Sequence, residues 1–352
     1  MRNALGLMVA IVVSAAVIAT VWFWTSSPRA QLAASAPATV AAAEPQRLSP
    51  AAAAKAAARD TVEVTAAIPE KPAAAQAAPA PAVAAQAASP CANPDALGVS
   101  RVVEVDTTGG PGFGFEHFKQ LDFLTDKEVV LTFDDGPWPG NTPAVLKALS
   151  DQCTKAVFFS IGKHAGYHPE ILRQVYAAGH TVGTHTWSHA NLNGKKMTEQ
   201  QARDEIEKGM SAVKLALGTE PAPFFRFPEL QHNPAMVAYL GQRNVAIFSC
   251  DLDSFDFRKT STPDKIVQTV MTQLDKLGKG IILMHDFQKH TAEALPELLR
   301  RLKAGGYKVV QMKARTQLAT LPEYDEMVRK EGSKIPVADT RPVSSVVQTV
   351  SK

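Results

Sequence analysis

Leu131-Thr132-Phe133-Asp134-Asp135-Gly136-Pro137 closes an apolar, β-branched run that begins at Val129 and Val130. Such a run reads as a buried strand, and Gly-Pro stops it at once, so two adjacent carboxylates sit where the strand ends and turns. Side chains alternate along a strand, but at a strand end the alternation relaxes and both carboxylates can aim into one cleft. Asp and Gly also build turns that have no chemistry. The other strand ends decide between these readings.

From Lys127 onward the pattern is regular. Strand-like runs at 128–133, 156–161, 180–184, 223–227, 245–250, 280–284 and 307–311 alternate with helix-like segments near 142–151, 168–178, 198–217, 233–242, 262–277 and 291–304. This alternation predicts an α/β fold with a mainly parallel sheet and helices packed outside it. About seven strands in so short a stretch suit a small or distorted (β/α) barrel better than an open sheet. Thr198 with Gln201 makes a capping box ahead of the 198–217 helix, and Thr262-Pro263 and Gly278 bound the 262–277 helix.

In parallel α/β architectures the C-terminal strand ends face the active site. Here those ends carry Asp134-Asp135, His185-Thr186-Trp187-Ser188-His189, Arg226-Phe227-Pro228-Glu229, Asp251 to Phe257, and Leu283-Met284-His285-Asp286. His185 and His189 are four apart; if that stretch turns helically, both imidazoles share one face about 5–6 Å apart and form a two-point chelate. Asp135 is the expected third ligand of a divalent metal, zinc first, with an open position for water. Cobalt, nickel and manganese suit the same donors. Trp138 and Trp187 flank the two motifs and are candidates for substrate contact by ring stacking, with core packing the alternative.

Thr-Phe-Asp-Asp-Gly-Pro, His185-Thr-x-x-His189, Arg226-x-Pro228, Asp253-x-x-Asp256-Phe257 and Leu283-x-His285, in this order, resemble the polysaccharide deacetylases with a NodB homology domain, or carbohydrate esterase family 4, over about residues 128–312. The resemblance implies a distorted barrel of fewer than eight strands and metal-dependent removal of N-acetyl groups from an N-acetylglucosamine polymer such as peptidoglycan, a chitooligosaccharide or an exopolysaccharide. Carried over by position, Asp135, His185 and His189 resemble the metal ligands, and Asp134 the general base that takes a proton from the metal-bound water. His285 resembles the general acid, Asp256 the residue that orients and charges it, and Arg226 the partner that fixes Asp134. Leu283 resembles a wall of the acetate pocket. Two positions depart from the pattern. Glu229 follows Pro228 where an aromatic residue is usual, and a carboxylate turned inward there would oppose a developing oxyanion. Phe257 stands where Trp is common and lacks its N–H. Both bear on substrate fit. A carbohydrate-binding protein without turnover, or an O-deacetylase using the same site, are the alternatives.

The rest of the 352 residues frame this domain. With 45% hydrophobic and 20% charged residues and a net charge of +3, there is no electrostatic case for nucleic acid. Ala4 to Trp24 is free of charge and long enough to span a membrane, so residues 1–24 read as an anchor. Arg2 then leaves the remainder outside the inner membrane, in the periplasm or cell exterior; small residues at Ala33, Ser35 and Ala36 keep a cleaved signal peptide as the alternative. Residues 25–92, rich in Ala and Pro, read as a disordered tether. Residues 93–127 lead into the catalytic domain at 128–316, and 317–352 read as a helix over Leu318–Glu331 with a disordered tail. The expected state is a monomer. Cys91, Cys153 and Cys250 contain no C-x-x-C pair; one disulfide can form, its pairing left open, and Cys250 reads as a small core residue. His164, His168, His180, His232 and His290 have no assigned role.

Overall fold

A computed structural model describes residues 93–332. Its elements are β1 (Arg101–Val105), β2 (Gly112–Phe113), β3 (Glu128–Asp134), α1 (Asn141–Asp151), β4 (Val157–Ser160), α2 (Gly162–Tyr167), α3 (Pro169–Ala177), β5 (Thr181–Thr184), α4 (Glu199–Leu217), β6 (Phe224–Phe225), α5 (Pro234–Gln242), β7 (Ala246–Phe248), β8 (Leu252–Asp253), α6 (Pro263–Leu277), β9 (Gly280–His285), α7 (Lys289–Ala304), β10 (Lys308–Ala314) and α8 (Pro322–Gly332).

β3, buried at every residue, is the hub. It runs parallel to β9 from Val129 opposite Gly280 to Asp134 opposite His285. Its other edge meets β10 at Glu128 and Val129 and β4 from Thr132 to Asp134. From β4 the sheet continues through β5, β6 and β7 to β2, while β8 pairs with the far edge of β9 and β1 with β10. Every ladder is parallel. The period of two along β3 sorts its side chains. Val129, Leu131 and Phe133 pack with Val145 and Leu149 of α1 and Leu295, Leu298 and Leu302 of α7. Val130 packs on the opposite face with Phe159, Phe224, Phe248 and Ile281. Thr132 and Asp134 share the parity of Val130, so the first carboxylate of the pair comes from the face that carries this aromatic layer.

The ladder is open between β2 and β8, and a side chain bridges the opening. Asp251 Oδ1 accepts from the Phe115 amide at 2.5 Å, just after β2, and Oδ2 accepts from the Ile281 amide at 2.7 Å. The result is a parallel α/β sheet bent toward closure, consistent with the incomplete barrel expected.

The expected helix signals are in place. The Thr198–Gln201 capping box opens α4, the Thr262 side chain caps α6, and Gly278 ends α6 in the left-handed region. The strand count differs from expectation: seven runs were visible, whereas ten strands lie among the described residues. β2 and β8 have two residues each, too short for a period to show. β1 alternates as a half-exposed strand in the stretch read as lead-in, so 101–113 contributes to the same sheet. The C-terminal helix is present as α8, held to α4 by Lys208 with Glu331 and Lys214 with Asp325. The expected anchor, tether and tail lie outside the described residues, among which no helix is long and apolar enough to cross a membrane. Cys153 is disulfide-bonded, and Cys250 is a buried free thiol whose Sγ meets Glu116 Oε2 at 3.1 Å. Cys91 lies outside the described residues.

Candidate active site

Arg226, at the end of β6, has no exposed surface. Its guanidinium lies 4.4 Å from the centroid of Phe159. Nη1 donates to Thr132 Oγ1 and Asp134 Oδ1, both at 2.8 Å, and Nη2 donates to the Ser249 carbonyl at 2.8 Å. A charge this deep is tolerable only because all three of its nitrogens are hydrogen-bonded and one partner is a carboxylate. The arrangement locks Asp134 Oδ1 and turns Oδ2 toward His185 Nε2, 3.9 Å away.

Asp135 takes a left-handed backbone conformation, φ 76°, at the turn out of β3. That twist breaks the strand alternation, so its carboxylate aims at the same cleft as Asp134. Asp135 Oδ1 lies 3.6 Å from His185 Nε2 and 3.5 Å from His189 Nε2. The three ligand atoms fall within 4.8 Å of one another. The chemistry of this set fits a divalent cation. Oδ1 is buried without a hydrogen-bond partner. His185 Nδ1 is committed to the Arg226 carbonyl at 2.7 Å, which leaves Nε2 bare in the neutral ring. Burial lowers the His185 pKa against the opposing pull of Asp134 and Asp135, so the ring favours the neutral form a metal needs.

The helical turn expected for 185–189 is absent. Thr186 and His189 are both left-handed, φ 62° and 60°, and the two rings approach to 5.0 Å between centroids through a bent loop. Polar contacts shape it: Thr186 Oγ1 accepts from the His189 amide, and the Glu205 carboxylate accepts from the Ser188 amide and hydroxyl. Spacing of four is compatible with a helix, but the bond within the loop and those to Glu205 prevail.

Across the cleft the register of β3 and β9 sets His285 beside Asp134. His285 Nδ1 meets Asp256 Oδ1 at 2.6 Å, and its amide donates to Asp256 Oδ2 at 2.7 Å. The Thr291 hydroxyl also donates to Oδ2. Burial works against the charged ring, but the charge and hydrogen bond of Asp256, reinforced by Asp135 and Asp134, raise its pKa to about 10. His285 is therefore protonated at neutral pH in the metal-free chain.

The remaining candidates spread around this centre. Leu283 is buried on β9. Phe257 is half exposed, its ring T-shaped to His285 with centroids 5.7 Å apart. Pro228 is buried in a short 3-10 turn, and Glu229, left-handed and exposed, accepts from Asn191 Nδ2 at 2.8 Å. Trp138 packs edge-on against His164, His168 and Phe287. Trp187 lines a groove of about 510 Å³ with Asn191, Lys196, Glu205 and Lys208, none of them in the metal-ligand set. Asp251 bridges the sheet opening, and Asp253 caps the Phe255 amide at 2.8 Å.

Two residues with no expected role touch the Asp-Asp turn. Asp286, buried, accepts from the Gly136 amide at 3.1 Å and the Thr142 hydroxyl at 2.5 Å. A Cβ on Gly136 would come 2.0 Å from Asp286 Oδ2, which explains glycine there. Asp286's place beside His285 at a strand end was a usable signal. His164, whose Nδ1 meets the Asp135 carbonyl at 2.6 Å, had none.

A family model for polysaccharide deacetylases matches residues 124–247. A chitooligosaccharide deacetylase from a Bradyrhizobium species is 30% identical over 47% of this chain and 73% of its own length. The chain belongs to the polysaccharide deacetylase family. Another relative, a peptidoglycan-N-acetylglucosamine deacetylase of Listeria monocytogenes, is 33% identical over 53% of this chain. This chain spans 38% of that relative's length. Among solved structures, a peptidoglycan deacetylase of Bdellovibrio bacteriovorus, 33% identical, superposes with a TM-score of 0.55 over 61% of this chain and 59% of its own. The matched residues include three of the five polar strand ends, those of Asp134-Asp135, His185 to His189 and Arg226 to Glu229.

Proposed function

We propose that this polysaccharide deacetylase family member is a metal-dependent hydrolase that removes N-acetyl groups from an N-acetylglucosamine-containing polysaccharide. The observation that carries the reading is the convergence of Asp135 Oδ1, His185 Nε2 and His189 Nε2 on one point, with a locked carboxylate on one side and a charged imidazole on the other. Asp135, His185 and His189 would hold a divalent ion, zinc by preference. Such an ion polarises an amide carbonyl and makes water acidic enough to attack at neutral pH. Asp134, fixed by Arg226, accepts the proton of the attacking water at Oδ2. His285 donates its proton to the departing amine, and Asp256 holds that ring in the required tautomer. Leu283 and Phe257 supply apolar walls for the acetyl methyl, and the half-buried Trp138 a face for a sugar ring.

Relatives acting on peptidoglycan and chitooligosaccharides support the substrate class. The carboxylate of Glu229, which suggested a site unsuited to an oxyanion, is engaged by Asn191. We place the domain outside the inner membrane, tethered by the apolar segment of residues 1–24. The disulfide at Cys153 supports an oxidising compartment.

Acetate release from peptidoglycan fragments, acetylated chitooligosaccharides and an acetylated exopolysaccharide, assayed with zinc, cobalt, nickel and manganese in turn, tests the reaction. Metal-dependent release of acetate and a free amine is expected; binding of all three glycans without release refutes turnover, and release only from O-acetyl groups reassigns the bond.

A further inference from the structure

Every main-chain polar group of the Asp135-Gly136 turn is held by a partner outside it. The Asp135 amide donates to the Phe159 carbonyl at 3.2 Å, and the Gly136 amide to Asp286. The Gly136 carbonyl accepts from the Ser160 hydroxyl at 2.7 Å and the Ile161 amide at 3.3 Å. The Asp135 carbonyl is held by His164 Nδ1. His164 belongs to the short helix α2, which follows β4, the strand beside β3. Its ring completes a three-ring cluster, edge-on to Trp138 at 5.1 Å and stacked on Phe287 at 6.1 Å, with Trp138 and Phe287 themselves 5.2 Å apart.

Asp135 needs such a hold. A left-handed backbone at a residue with a Cβ costs about 1–3 kcal/mol, and it persists only where the surroundings over-determine it. The same φ of 76° carries the carboxylate out of the strand register and toward His185 and His189.

We infer that His164 is a positioning residue for the metal centre, donating Nδ1–H to the Asp135 carbonyl and so keeping Asp135 Oδ1 on the convergence point of the two imidazoles. This rests on the reading of Asp135, His185 and His189 as metal ligands. The carbonyl accepts, so the proton resides on Nδ1, and contact with the rings of Trp138 and Phe287 holds that tautomer's ring plane in place. Outer partners of this kind change metal affinity by roughly 10–100-fold.

The test uses zinc itself, titrated into the protein against a chromogenic chelator, with Asp135→Ala as the control for the site. His164→Phe keeps a ring against Trp138 and Phe287 and removes the donor; His164→Asn places an amide N–H near the lost Nδ1. We expect His164→Phe to weaken zinc about 10–100-fold with its melting transition intact, and His164→Asn to recover most of that loss. Unchanged zinc affinity in His164→Phe, with Asp135→Ala still abolishing binding, overturns the positioning role alone. Equal weakness in both His164 variants also overturns it, because the ring and not the hydrogen bond would then matter. A parent protein whose zinc binding ignores Asp135→Ala overturns the metal reading and this inference with it.

Discussion

Asp134 and Asp135 are neighbours with opposite surroundings, and the proposed reaction gives them different work. Asp134 follows the strand register into the contact with Arg226, whereas Asp135 leaves the register at φ 76° and meets the two histidines. Replacing Arg226 by Met removes the cation bonded to the buried Asp134 carboxylate, and unfolding in urea is expected to show a loss of about 3–5 kcal/mol. A loss under 1 kcal/mol would mean that Asp134 is held by something else. For His285 the sign follows from its partner. The ring is protonated up to about pH 10 beside Asp256, so the stabilisation of this pair is complete below the ordinary histidine value and fades as pH rises through about 10. In metal-free Asp256→Asn the ring should lose its proton nearer pH 6.5, read from its NMR titration; a midpoint still near 10 would assign the charge to another group. These two carboxylates, the histidine pair and His285 could be read directly, because strand ends punctuated by Gly, Pro and paired acids are local signals. His164 could not. Its contact joins residues 29 positions apart through a helix of six residues, which leaves no periodic trace.

At the scale of elements, long amphipathic helices and fully buried strands announced themselves, and the short or half-exposed pieces did not. β3 and α4 carry enough residues for a period and caps. β2 and β8 carry two residues each, and the loop at 185–189 owes its shape to Glu205, far along the chain. β1 was hidden for a different reason: as an edge strand it alternates with exposed residues and depends on an ion pair. Arg101 donates twice to Glu128, the first residue of β3, at 2.7 Å. Those bonds, with burial opposing and the Thr125 amide assisting, hold the Glu128 carboxyl down at about 2. An acid with a depressed pKa stabilises the fold fully above its ordinary value of 4.5, and that contribution disappears as pH falls toward about 2. Glu128→Gln should therefore lower stability at neutral pH by about 1–2 kcal/mol and flatten the melting temperature between pH 4.5 and 2. An acid limb as steep as the parent's would exclude this pair as its source.

Across the whole molecule, five polar strand ends separated by more than a hundred residues meet in one cleft because the sheet bends until Asp251 can bridge its opening. Removing that bridge with Asp251→Ala leaves two backbone amides without acceptors, and a destabilisation of about 2–4 kcal/mol is expected from thermal or urea melts. A variant as stable as the parent would show that the opening needs no bridge. Parallel topology was legible from the strand-helix alternation, since each crossover needs its helix. The branching of β10 onto β3 was not, because pairing order depends on contacts between distant segments. The groove beside Trp187 was equally hidden, because it is assembled from loops and a helix face rather than from any motif. The central claim is that one carboxylate holds the metal while its neighbour moves the proton. Zinc affinity and acetate release measured together on Asp134→Asn test it most directly: zinc bound as tightly as in the parent with turnover reduced about 10²–10⁴-fold is predicted, and a variant that loses zinc, or that still turns over at the parental rate, would contradict it.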